Sequence, residues 1–193
     1  MKHKAFTLVE AIVVVVILAI AALVLFPILA RPRENIHRQT CPSNLKQLAL
    51  GVKQYIQDYD EKYPLTTDWG ETAQPYLKSW QIFQCPSDKT GNASKTTDYF
   101  FNARLSGIEE GKLDWISITI LMGDGAGDSP PSYHLSQLPD AWRKDENSPA
   151  WRHLDGANYA FADGHVKWLR AEKITLDKPN VLRPTFLLGG SKP

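Results

Sequence analysis

Net charge, catalytic signatures and cysteine are all scarce in this sequence. Its 22 Lys+Arg and 21 Asp+Glu nearly cancel. Setting aside Lys2, Lys4 and Glu10 leaves 20 of each for the rest of the chain. That balance excludes a broadly basic nucleic-acid-binding surface, and no nucleic acid is expected as a partner. There is no G-x-S-x-G, no H-E-x-x-H and no phosphate loop, and Ser148 is the one serine close to His153. A hydrolase triad, a zinc-protease site and a nucleotide cradle therefore lack their parts, and no enzymatic activity is expected. The two cysteines, Cys41 and Cys85, form no C-x-x-C pair, which argues against a zinc-knuckle or redox motif. Both follow a long apolar run; if that side is oxidising they read as a disulfide, and otherwise as two buried thiols. No internal repeat occurs.

The apolar run itself is plentiful. A short basic leader (Lys2, His3, Lys4) runs into Ala5-Phe6-Thr7-Leu8-Val9-Glu10, and Ala11 to Ala30 then carry no charge. About 20 apolar residues at ~1.5 Å each suffice to cross a hydrocarbon core of about 30 Å. The basic leader favours a cytoplasmic amino terminus. Glu10 is the odd residue, because a carboxylate costs on the order of 2.5–3.5 kcal/mol at the centre of a membrane helix and needs a specific partner. A free amino terminus created between Ala5 and Phe6 is one such partner, better placed on a staggered neighbouring copy than within the same rigid helix.

Ala5-Phe6-Thr7-Leu8-Val9-Glu10 resembles the class III signal of type IV pilins and type II secretion pseudopilins. The resemblance implies cleavage between Ala5 and Phe6 by a prepilin peptidase, N-methylation of Phe6, and pairing of Glu10 with the amine of a neighbouring subunit during assembly. It also implies that Pro27 loosens the helix. Gly usually precedes the cut in that family, and Ala5 stands there here. A secretory signal would have a shorter apolar core and a small-residue cleavage site, which Pro27-Ile28-Leu29-Ala30-Arg31-Pro32 does not provide.

Beyond the run, Leu45, Leu48, Ala49, Val52, Tyr55, Ile56 and Tyr59 recur at helical spacing, opposite Lys46, Gln47, Lys53, Gln57 and Asp58. This predicts an amphipathic helix that continues the apolar one, bent or interrupted at Pro32 and Pro42. A short helix is expected near 71–80 and strands at 99–104 and 115–122. Residues 123–128 read as a tight acidic turn, and 129–150 as an exposed loop.

Asp163-Gly164, set between alternating runs at 158–162 and 166–168, predicts a two-residue type I′ hairpin. His153, nine residues and then Asp163-Gly164 resemble the H-X9-DG motif at the carboxyl end of a large pseudopilin-like family. Members of that family also carry segments like Cys41-Pro42-Ser43-Asn44-Leu45-Lys46-Gln47-Leu48, Tyr59-Asp60-Glu61-Lys62-Tyr63-Pro64 and Cys85-Pro86-Ser87-Asp88.

His153, Asp155, Asp163 and His165 are metal-ligand types, but a structural role for His153, bonding a backbone group or the turn carboxylate, is the simpler reading. Ca²⁺ at Asp124 and Asp128 lacks an EF-hand pattern, so no cofactor and no metal site are assigned. The expected organisation is a leader at 1–5, a transmembrane or filament-core helix at 6–30, its amphipathic continuation at 31–63, and an α+β head at 64–193 in which the long helix packs on a small antiparallel sheet. The implied function is that of a pilin-like structural subunit of a type IV pilus-like or type II secretion filament. Before assembly it would sit as a single pass in the inner membrane with its head periplasmic or extracellular, and afterwards in a filament or at the cell surface. Its expected partners are prepilin peptidase, other pilin or pseudopilin subunits and that membrane. The competing reading is a membrane-anchored periplasmic ligand- or metal-binding domain that never polymerises.

Overall fold

The protein is described by a computed structural model covering residues 8–30, 32–88, 90, 94–175 and 183–188, with side chains omitted for 24–38. It divides into two units, Met1–Ile36 and His37–Pro193. The first contains helix α1 (Leu8–Ala30), which has Glu10 in its first turn. Leu8, Val9, Ile12, Val15, Leu18 and Leu23 are exposed along it. Ala5 and Phe6 lie outside the described residues. Helix α1 includes position 27 within its bounds, so no break is seen there. Among the described residues no helix is long and apolar enough to cross a membrane.

Helix α2 (Pro32–Asp58) contains Pro42 in its interior. The expected interruption at Pro42 is absent, since the helix runs through it. At Pro32 the two helices are separate elements, α1 ending at Ala30 and α2 beginning at Pro32, where a missing N–H costs no helical bond. In the head unit, α2 buries Cys41, Leu45, Leu48, Ala49, Val52 and Ile56; of the expected stripe, Tyr55 is half-buried and Tyr59 is exposed beyond the helix end. Deep burial of an aliphatic side chain contributes about 1.5–3 kcal/mol, so this face outweighs the cost of one interior proline. Helix α3 (Trp69–Leu77) follows, and a 3₁₀ turn at Trp80–Phe83 leads to Cys85.

The head's sheet has five strands: β1 (Thr97–Asn102), β2 (Ile120–Ser129), β3 (His134–Leu135), β4 (Ala157–Phe161) and β5 (Val166–Leu169), in the order β3-β1-β2-β4-β5. The sheet is mixed, not purely antiparallel as expected, because β3 joins the edge parallel to β1. Period-2 alternation sends Tyr99, Phe101 and Ala160 toward α2, and Phe100, Tyr159 and Phe161 into a second core on the other face. Both faces of β1 are buried for this reason.

Three expectations for the middle of the chain are corrected. Residues 115–118 lie in a turn, Thr119 forms an isolated bridge to Thr185, and β2 begins only at Ile120. The Gly-rich stretch 123–128 is strand, not turn. Gly123 sits there between Phe100 and Tyr159 of the adjacent strands, and a Cβ would come within 2.6 Å of the Tyr159 ring. The 129–150 segment is not simply an exposed loop, since it contributes β3 and buries Leu138, Ser148 and Ala150.

Candidate functional site

The C-terminal hairpin is tighter on one side than a type I′ turn. Gly164 has positive φ (86°), but Asp163 is not among the positive-φ residues. Gly164 N–H donates to Phe161 O (2.8 Å) and Phe161 N–H to His165 O (2.9 Å). This is a three-residue connection, a type I turn closed by a left-handed Gly. Asp163 accepts from the backbone N–H of His165 at 3.0 Å and lies 2.6 Å from its Nδ1. The Gly164 carbonyl accepts from Lys46 Nζ at 2.6 Å, tying the hairpin to α2.

His153 and Asp163 therefore do not meet: one precedes β4 and the other follows it, with a strand's length between. The His153 main chain performs the pinning. Its N–H donates to Gly156 O (2.8 Å) and its carbonyl accepts from Trp168 Nε1 (2.6 Å). Leu154 and Asp155 take left-handed conformations to make this turn. Asp155 lies 3.8 Å from Arg170, away from the His153 ring's partners.

The His153 ring points into the centre of the head. Its Nε2 lies 3.3 Å from Asp124 Oδ2 and 3.6 Å from Cys85 Sγ. Cys85 is bonded to Cys41, with S–S 2.12 Å and Cα–Cα 5.0 Å, so the expected disulfide is present and joins α2 to the segment after the 3₁₀ turn. Asp124 Oδ2 also accepts from the Asn158 backbone N–H (2.6 Å) and from its Nδ2 (3.1 Å).

Arg152, next to His153, was not singled out by the sequence, yet it is the hub. Its Nη2 reaches the Asp88 carboxylate and donates to Gly125 O (2.8 Å), and its Nη1 lies 4.0 Å from Asp124 Oδ1. Asp98 joins from β1, accepting from Cys85 N–H (2.7 Å) and Asp128 N–H (3.1 Å). Burial raises the Asp98 carboxyl above its ordinary value, against the lowering effect of those two amide donors. Burial likewise raises Tyr99 and Tyr159 well above the ordinary phenol value, with the Asp124 carboxylate adding to both.

Three carboxylates, a guanidinium and an imidazole thus converge around one disulfide. Cys85-Pro86-Ser87-Asp88 supplies Cys85 and Asp88, while Asp124 and Asp98 come from strand interiors that carry no sequence signature. Asp124 and Asp128 are not aimed at a common point: Asp124 serves His153 and Asn158, while Asp128 accepts from Thr96 Oγ1 at 3.2 Å. Outside the cluster, a groove of about 520 Å³ opens beside Arg152 and is lined by Asp88, Glu146, Ser148 and Trp151 among others. Among the described residues, the group whose ligand atoms converge as a metal would require is Cys41, Cys85 and His153, all within 4.8 Å of one another.

The family model described as the prokaryotic N-terminal methylation motif matches residues 1–26. A ComG operon protein 3 homolog of Bacillus licheniformis is 26% identical over 89 residues, which make up 46% of this chain and 88% of that protein. No solved structure matches. The chain thus carries the prepilin-type motif read from Ala5 to Glu10, while the His153–Gly164 motif lies outside the matched residues 1–26.

Proposed function

We propose that the chain is a pilin-like structural subunit, cut by prepilin peptidase between Ala5 and Phe6, methylated at Phe6, and assembled through α1 into a type IV pilus-like or type II secretion filament. The observation that carries this reading is the methylation-motif match over residues 1–26, on a segment whose following helix leaves its apolar side chains exposed and keeps a single carboxylate in its first turn. A contiguous exposed apolar surface of this kind requires a partner, either lipid or other helices.

In this reading the helix first anchors the subunit in the inner membrane and then exchanges lipid for neighbouring subunits. Glu10 sets the register by pairing with the new amino terminus of a neighbour. An ion pair between a carboxylate and an amine in an apolar surround has one favourable geometry, so docking is favoured at one stagger. The head, closed by the Cys41–Cys85 disulfide, decorates the filament and takes no part in catalysis.

Mass spectrometry of the chain recovered from its native membrane tests this directly. A mature protein beginning at Phe6 and carrying an extra methyl group is the expected result, and one still beginning at Met1 overturns the reading. The groove beside Arg152 is the observation favouring the second reading, an anchored ligand-binding head that never polymerises. Glu10→Ala separates the two, since it abolishes assembly in the first and changes nothing in the second.

A further inference from the structure

The geometry points to a second state for the core of the head: with the disulfide reduced, Cys41, Cys85 and His153 form a zinc-class metal site, with Asp124 at the fourth position. Two of the edges already fit. With Zn–S of about 2.3 Å, Zn–N of about 2.0–2.1 Å and Zn–O of about 2.0–2.2 Å, a tetrahedral site has S···N edges of about 3.5–3.6 Å and N···O edges of about 3.3–3.4 Å. His153 Nε2 lies 3.6 Å from Cys85 Sγ and 3.3 Å from Asp124 Oδ2. The edges out of place are S···S, closed to a bond in the disulfide and about 3.8 Å around zinc, and at least one between Asp124 and a sulfur, since Asp124 stands outside the group whose ligand atoms all lie within 4.8 Å of one another. Breaking that bond lets the two sulfurs move apart while the imidazole and carboxylate stay near where they are.

The surroundings suit a cation. Asp124 is fully buried, and its Oδ1 has no hydrogen-bond partner, with Arg152 Nη1 standing off at 4.0 Å. Two thiolates and one carboxylate around a divalent ion leave one negative charge, and the Arg152 guanidinium, shared with Asp88, stands beside it. The donor set of two thiolates, an imidazole and a carboxylate selects a borderline-soft ion such as Zn²⁺ over Ca²⁺ or Mg²⁺.

The two states exclude each other. A dithiol or phosphine reductant supplies two electrons and, with two protons, converts the disulfide to two thiols while itself being oxidised. Metal binding then releases those two protons and forms two metal–sulfur bonds. Both sulfurs are buried in the folded head, so the choice between oxidant and metal is made as α2 docks on the Cys85 segment. The same residues would close the core on either side of an oxidising boundary.

The test uses the full chain, unfolded in denaturant with a phosphine reductant and diluted anaerobically into detergent micelles containing Co²⁺. The expected result is one Co²⁺ per chain, with a thiolate-to-cobalt charge-transfer band, the intense visible bands of a tetrahedral site, and thiols protected from alkylation. The same chain oxidised before dilution should show none of these. His153→Ala should weaken binding by at least about 100-fold, beyond the effect of an outer-shell substitution. His153→Gln, closer in size and polarity, replaces it if the alanine variant does not fold. A reduced chain that yields no stoichiometric thiolate band overturns the inference, as does a band and affinity unchanged in the His153 variant, or equal binding by the oxidised chain.

Discussion

The two units of this chain treat costly groups in opposite ways. Along α1, aliphatic side chains are left exposed with one carboxylate among them. In the head, carboxylates and a guanidinium are buried, Arg152 with 9% and Asp88 with 5% of its side chain exposed. Exposed apolar surface is satisfied from outside, by lipid or by another helix, whereas buried charge has to be satisfied from within the same fold. The first arrangement is built for association and the second for a single rigid conformation. Substitutions in one unit should therefore be silent in the readout of the other.

The largest expected effect is in α1. Glu10→Ala should abolish filament assembly, read by electron microscopy of sheared surface material, while the head's thermal melt stays unchanged. A shifted melt would break the division between the units. In the head, Arg152→Ala strands Asp88 and Asp124 without their cation and should lower stability by about 3–5 kcal/mol in a denaturant melt. Its amino-terminal processing should remain that of the parent chain.

Cys41→Ser with Cys85→Ser comes next. Opening a loop with a sequence separation of 44 residues should cost about 2–4 kcal/mol under oxidising conditions. Under reducing conditions without metal the variant and the parent should melt together.

The buried phenols should give a subtler signal. Tyr63, Tyr99 and Tyr159 are pushed above the ordinary value of 10.0, each chiefly by burial; nearby carboxylates add to the shift, Glu110 at Tyr63 and Asp124 at the other two. A raised folded value means that their contribution to stability is whole below pH 10 and is lost only as pH rises beyond it. Ultraviolet titration of the folded chain should show these three ionising only with alkaline unfolding.

The smallest effect concerns Asp98. Its carboxyl is raised by burial above 3.8, so its contribution is whole below that pH and falls away as pH climbs through the folded value. Asp98→Asn should flatten that part of the acid-side stability curve. The variant's overall stability should also fall by about 1–3 kcal/mol, because an amide cannot accept from both the Cys85 and Asp128 N–H groups.

Local signals were legible in the chain wherever the physics is local. The stripe from Leu45 to Ile56 is a helix face, Asp163-Gly164 is a hairpin connection, and Cys41 with Cys85 is the disulfide. Misreadings arose where a local rule was outweighed by packing. Residues 123–128 read as a turn because of their glycines, yet Gly123 makes room for the Phe100 and Tyr159 rings and Gly125 for the Tyr133 ring and the β1 backbone. Of the two structural roles open to His153, a bond to the turn carboxylate is ruled out because an intervening extended strand keeps it from Asp163.

Sequence by itself determined the apolar amino-terminal run with Glu10, the amphipathic helix and the α+β class, because each is written in periodicity or in a contiguous motif. Tertiary structure alone decided that β3 pairs in parallel, and that Asp88, Asp124, Arg152 and His153 share one buried site. Arg152 and Asp88 are 64 residues apart, and their pairing exists only in the assembled head. Contacts of that separation are set by which surfaces exclude water together, and no local pattern of residues encodes them.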